Sequence, residues 1–309
     1  MPGTTRVLLL FLLSLLSLSP WACRSSSSPS SAPRSTDLQI VTDEIGRRVA
    51  IPRYPRRVIS LAPSVTEMLF ALGVEERLVG VTSYCDYPPA ARAKERVGDV
   101  LNPSLERILA LQPDLVVLST ATQLERFAQR LEAAGIPLYV VDVERVEDVF
   151  RSLENVGAIM GCRAEAERVV RALRARLERV RARVRGRSRP RVLLVVQRDP
   201  LIVPGRGAFM TDLVQEAGGQ SITADAEREW TPYSLETVVA RAPEVIILPS
   251  REPVTRQLTN VRWPELEATP AFRQGRVYAI YNDVLMRPGP RLIDGVEALA
   301  RVLHPEAFR

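Results

Sequence analysis

Histidine is almost missing from this 309-residue chain; His304, near the C-terminus, is the one imidazole. That excludes multi-histidine metal centres, and no Ser-His-Asp set can be assembled without it. A surface or helix-capping place is expected for His304. Cysteine is scarce too: Cys23, Cys85 and Cys162 are too few for a disulfide framework. Cys85 and Cys162 are expected as free thiols. Lysine is reduced to Lys94, so the net charge of +6 is almost wholly arginine. No phosphate loop of the Lys-Ser/Thr type occurs, and Gly205-Arg206-Gly207 lacks the third glycine of a dinucleotide loop. These absences leave no catalytic residue, no metal ligand set and no cofactor site to name, and an enzyme is not expected.

The apolar run Val7–Leu18, behind Arg6, has signal-peptide length, and no other run approaches membrane-spanning length. Residues 1–22 are therefore expected to be a signal peptide. Cys23 follows Ala22 where the apolar run stops and resembles the lipid-bearing cysteine of a bacterial lipobox. Residues 23–36 continue as a serine-rich polar tether, too poor in apolar residues to fold. The expected location is outside the cytoplasmic membrane, periplasmic or on its outer face, held by the lipid anchor alone. An exported chain has little access to nucleic acid. The arginine run over 168–191 also lacks the interleaved aromatics that stack on bases. It reads as the solvated face of an amphipathic helix.

One phrase occurs twice. Residues 103–120 read PSLERILALQPDLVVLST, and residues 233–250 read YSLETVVARAPEVIILPS. Each predicts a short helix with an early glutamate, a turn at Pro113 or Pro243, then a buried strand. A repeat that recurs once is not a solenoid and implies two similar lobes. Strand and helix patterns alternate around each copy, as in an α/β fold with mainly parallel sheets. A hairpin is expected over Leu38–Ile51. Strands are expected at Arg57–Leu61, Leu78–Val81, Leu115–Leu118 and Leu138–Val141, then at Arg191–Gln197, Val245–Leu248 and Val277–Ile280. The helix starting near Thr66-Glu67-Met68-Leu69 is echoed at Thr211-Asp212-Leu213-Val214. Between the halves, Val146–Met160 and Arg163–Arg185 read as helices with apolar residues at helical spacing. The expected organisation is a lobe over 37–145, a helical connector over 146–187 and a second lobe over 188–309.

In open α/β sheets, ligands bind beyond the carboxyl ends of the strands. Tyr84, Asp86 and Tyr87 follow one predicted strand; Arg206 and Phe209 follow another. Trp230 and Tyr233 precede the second Ser-Leu-Glu, and Arg287 follows the last strand. Aromatics there suit a large, partly apolar, planar ligand, and arginines could meet acidic groups. Glu106 and Glu236, the repeated acids, sit in first helical turns, where the helix dipole favours them.

The segments RVISLAPSVTEMLFALG, GVTSYCDYPP, NPSLERILALQPDLVV and WTPYSLETVVARAPEVII resemble the helical-backbone (class III) periplasmic solute-binding proteins of ABC importers, and within them the cobalamin-binding BtuF type. The resemblance spans residues 38–309. It implies two Rossmann-like α/β lobes joined by one long helix, with the ligand held in the cleft between them. It implies ligand contacts at Tyr84, Asp86 and Tyr87, and a cleft tryptophan at Trp230. It also implies that Glu106 and Glu236 dock to the two subunits of an ABC permease. The implied function is capture of a corrinoid such as cobalamin by a monomer. The same role for a ferric siderophore or haem is the alternative ligand reading. A cleft enzyme and a sensor-docking receptor are the rival classes.

Overall fold

The computed structural model describes residues 37–120 and 125–309. The expectations placed on the leader, Cys23 and the tether lie outside the described residues. Among these, no helix is long and apolar enough to cross a membrane.

The hairpin forms as expected. β1 (Leu38–Thr42) and β2 (Arg48–Pro52) pair antiparallel, with Ile40 opposite Ala50. The Asp43 carboxylate accepts from the backbone N–H of Arg47 at 2.7 Å and closes the turn. Gly46 takes a φ of 84° there, a conformation cheap for glycine.

The first lobe runs β3 (Val58–Ser60), α1 (Pro63–Ala71), β4 (Leu78–Val81), α2 (Leu105–Ala110), β5 (Leu115–Ser119), α3 (Glu125–Ala133) and β6 (Leu138–Val141). Its sheet has the order β4-β3-β5-β6, all parallel. Helices α4 (Val146–Ile159) and α5 (Arg163–Val184) follow. The second lobe runs β7 (Arg191–Leu194), β8 (Ile202–Pro204), α6 (Phe209–Glu216), β9 (Gln220–Ser221), β10 (Trp230–Pro232), α7 (Leu235–Arg241), β11 (Val245–Ser250), β12 (Thr255–Gln257), α8 (Pro270–Arg273), β13 (Val277–Tyr281), α9 (Asn282–Met286) and α10 (Leu292–Leu303). Its sheet has the order β12-β13-β11-β7-β9. Without the antiparallel edge strand β12, the order β9-β7-β11-β13 repeats β4-β3-β5-β6.

The repeated phrase occupies the same place in each lobe, and its chemistry explains why. Ser104 and Ser234 cap α2 and α7 by accepting from the backbone N–H groups of Arg107 and Thr237, at 3.3 and 3.1 Å. The turns after both helices use left-handed residues, Gln112 at φ 45° and Ala242 at φ 46°. Asp114 then accepts from the backbone N–H groups of Arg56 and Arg57, at 2.7 and 2.9 Å. Glu244 accepts likewise from Arg191 at 2.8 Å. Each acid ties its strand's start to that of the lobe's first parallel strand.

Among the described residues the core falls into three apolar clusters. The largest runs through both lobes, from Val65 and Met68 on α1, through Phe150 and Leu153 on α4 and Leu173 and Leu177 on α5, to Leu213 on α6 and Leu299 on α10. The outer face of the first sheet packs on α2 and α3 around Ile108 and Leu131. The outer face of the second packs around Val238, Trp263 and Ala271. Bare Gly157 lets α4 approach α5, since a Cβ there would stand 2.4 Å from that of Ala166.

The arginine face of α5 is solvated over most of its length, as expected, with Arg168, Arg171, Arg174, Arg179 and Arg183 exposed; Arg176 and Arg181 depart from it. Arg176 binds Asp294 and Glu297 of α10 at 2.6 and 2.8 Å. Arg181 binds Glu147 of α4, Glu178 and Glu216 of α6 at 2.6–2.9 Å. The helix is thus stitched to its neighbours by charge as well as by apolar burial. β7 stops at Leu194 rather than Gln197, because Val196 and Gln197 turn to bond Ile202. His304 is a capping residue, as expected, but a buried one. It ends α10, with Nε2 3.2 Å from the Gly218 carbonyl oxygen.

Candidate functional site

The carboxyl end of β4 projects the first group of candidates. Cys85 is buried and its Sγ lies 3.2 Å from Thr82 Oγ1. Arg96 Nη1 donates to the carbonyls of Thr82 and Cys85 at 2.7 and 3.0 Å. The loop is therefore pinned from beneath, and the flanking Tyr84 and Tyr87 remain exposed, at 57% and 43%.

In the second lobe, Phe209 starts α6 and is buried edge-on against Trp230, with ring centroids 6.3 Å apart and planes at 75°. Trp230 opens β10 and stands opposite Pro204 of β8. A side chain on Gly205 would meet the Arg228 carbonyl oxygen at 2.2 Å, so only glycine lets these segments approach so closely. Phe209 backs the half-buried Trp230 ring. Arg206 is exposed, and its charge helps hold the Asp225 carboxyl below its ordinary value. Tyr233 is set apart from this pair: it packs on the cluster around Val238 and Trp263, with the Arg241 guanidinium 5.8 Å from its ring centre.

Arg287 belongs to an ion network between the lobes. Its Nη1 donates to Asp86 at 2.8 Å and approaches Glu67 at 3.4 Å; its Nη2 lies 3.0 Å from Asp283. Arg291 grips Glu67 with both arms of its fork, Nε at 2.9 Å and Nη2 at 2.6 Å. Tyr281 donates its hydroxyl to Asp283 at 2.6 Å. Glu67 lies on α1 and is only 3% exposed. Burial pushes its carboxyl up, against the Arg291 and Arg287 guanidiniums that pull it down. The net effect is a raised pKa, although Arg291, which does not deprotonate in proteins, favours the charged form through its two direct bonds. Sequence reasoning missed Glu67, Asp283 and Arg291. The available signals were an acid inside the apolar run of α1 and two arginines on either side of Pro288-Gly289-Pro290.

Burial alone would raise Asp86, but its bond to Arg287 and that residue's charge outweigh it and lower the pKa below the ordinary 3.8. A depressed carboxylate stabilises the fold above its unfolded pKa, and the gain is lost as pH falls through the folded value. Acidification from neutrality should therefore lower the melting temperature through loss of this link only below about pH 4. Asp86→Asn should flatten that part of the melting-versus-pH curve; an unchanged slope would show that the link does not hold in solution.

Carboxylates of the two lobes also act on one another. Burial raises Glu229, just before β10, and the charges of Glu144 and Asp142, just after β6, raise it further. Among the described residues no cluster of His, Cys, Asp and Glu could hold a metal ion.

Glu106 and Glu236 lie at matching places on α2 and α7, both exposed. Neither has an ion-pair partner among the described residues. One turn on, each copy exposes an aliphatic side chain, Leu109 at 44% and Val239 at 38%.

The periplasmic binding protein family model matches residues 58–284. The chain is 30% identical to the uncharacterized ABC transporter substrate-binding lipoprotein YvrC of Bacillus subtilis, over 91% of this chain and 90% of that one. The crystal structure of the periplasmic vitamin B12 binding protein BtuF of Vibrio cholerae superposes with a TM-score of 0.73 at 28% identity, covering 82% of this chain and 98% of the other. The periplasmic heme-binding protein RhuT from Roseiflexus sp. RS-1 superposes at 0.69, also at 28% identity, covering 82% and 99%. The chain belongs to the periplasmic binding protein family, as a non-enzymatic ABC transporter substrate-binding protein.

Proposed function

We propose that this protein captures a corrinoid such as cobalamin outside the cytoplasmic membrane, anchored through Cys23, and delivers it to a two-subunit ABC permease. The observation that carries the ligand class is the state of the cleft's charges. Arg287 and Arg291 are spent on Glu67, Asp86 and Asp283, while the charges of Asp142 and Glu144 in the first lobe raise Glu229 in the second. An anionic ligand would find Arg287 and Arg291 already engaged by carboxylates. A large ligand with an apolar face and a neutral amide rim suits Tyr84, Tyr87 and Trp230 better. The similarity to the Vibrio cholerae vitamin B12 binding protein supports the same reading.

Haem or a ferric siderophore is the second reading. It is favoured by the exposed phenol of Tyr84, a possible iron ligand, and by the equal identity to the heme-binding protein. Titration of the purified protein with cyanocobalamin, hemin and a ferric hydroxamate, followed by absorbance and tryptophan fluorescence, separates the readings. Cyanocobalamin should saturate the protein and change the Trp230 emission. Trp230→Ala should weaken that binding by roughly ten- to a hundredfold, as expected for a buried aromatic anchor. Saturation by hemin or the hydroxamate, with no response to cyanocobalamin, would overturn the corrinoid reading.

A further inference from the structure

The buried ion network does more than join the lobes. The Arg291 guanidinium carbon stands 3.8 Å from the centre of the Tyr87 ring, and Arg291 is itself held by the fork to Glu67. Tyr87 is on the first lobe, Arg291 on the second, and Glu67 on the first again. Segment 287–291 crosses to reach α1 so closely that a Cβ on Gly289 would lie 3.2–3.3 Å from Ser64. We propose that Glu67 and Arg291 are positioning residues for the ligand cleft: Glu67 fixes the plane of the Arg291 guanidinium, and that plane fixes the Tyr87 ring.

The chemistry requires arginine in particular. Only a planar, delocalised cation can grip a carboxylate with two parallel bonds and still offer its face to an aromatic ring. A lysine would keep the charge and lose both geometric functions. Asp283 stands 3.5 Å from Arg291 Nη2, and Arg287 lies between Asp283, Asp86 and Glu67. Every charged group around Arg291 is thus engaged, and its orientation follows from its neighbours rather than from solvent. Among the described residues the Tyr87 hydroxyl makes no hydrogen bond. The stack on Arg291 is thus the directed contact on its ring, and the residue stays 43% exposed. The consequence is a cleft surface on one lobe whose geometry is set by the other.

The inference rests on the cleft being the ligand site, but its first test needs no ligand. In the nuclear magnetic resonance spectrum of the purified protein, the Arg291 Nε–H signal should carry the ring-current shift of Tyr87. Tyr87→Leu, at an exposed position, should abolish that shift, and Glu67→Gln should move the signal again. An Arg291 signal indifferent to Tyr87→Leu overturns the proposal. The second test uses cyanocobalamin as probe, or hemin if that is what binds. Arg291→Lys should weaken binding about tenfold, and Tyr87→Leu should add little in that background. Fully additive losses overturn the positioning role. Failure of both probes to bind would count against the ligand reading alone, since the spectral test stands without it.

Discussion

Replacing Glu67 with alanine is expected to destabilise the protein by about 3–5 kcal/mol, the cost of removing one partner from a buried ion pair. In a chain of this size that corresponds to a drop of roughly 10 °C in melting temperature. The loss exceeds that of a surface pair because Glu67 is 3% exposed and its two oxygens serve two guanidiniums. Arg287 would keep Asp86 and Asp283. Arg291 would keep only the 3.5 Å approach to Asp283 and the face of Tyr87, so its charge would be buried nearly alone. The double variant Glu67→Leu with Arg291→Leu should recover most of the stability, since an apolar pair of similar volume replaces a desolvated ion pair at little cost. Thermal melts of the single and double variants check this. A single variant within about 0.5 kcal/mol of the parent, the range of ordinary surface changes, would show that water reaches the network.

The two lobes were legible because the repeated residues keep repeated tasks. Ser104 and Ser234 cap, Pro113 and Pro243 turn, and Asp114 and Glu244 bind the starts of neighbouring strands. Local rules of capping and burial register in sequence at fixed spacing. The short strands β8, β9 and β10 left no signal, since two or three residues cannot show a period. The network at the lobe junction was illegible for a different reason. Glu67 and Arg291 meet across 224 positions, and no local pattern names a partner so distant. Arg287 illustrates the limit well: its loop position suggested a ligand contact, while its environment gives it three carboxylate neighbours. Tyr233 was grouped with Trp230 by proximity in sequence, yet the turn between β10 and α7 sends the two rings into different clusters.

The same comparison of repeated acids gives the second large expectation. Each lobe repeats two acids, and the structure divides them. Asp114 and Glu244 accept backbone hydrogen bonds, so their presence in both lobes follows from folding alone. Glu106 and Glu236 are exposed, with no ion-pair partner among the described residues. Helix-dipole balance would be served as well by any acid in the first turn, at either of several positions. Two glutamates at one repeated position, each with an aliphatic neighbour at Leu109 or Val239, form a pair of like surfaces suited to a partner with two like subunits. Close charge pairs across protein interfaces have coupling energies of about 1.5–7 kcal/mol. Glu106→Arg or Glu236→Arg should each weaken binding to the permease by about tenfold or more, and the double variant by roughly a hundredfold or more. Solute uptake should fall with it, while affinity for the solute is expected to stay at the parental value. Binding of the variants to the permease in lipid nanodiscs, measured beside solute titration of the free protein, reads both quantities. Loss of solute affinity in the double variant would place these glutamates in the service of the cleft or the fold. Asp114→Asn supplies the contrast: it should lower the melting temperature and leave the docking strength of the folded fraction unchanged.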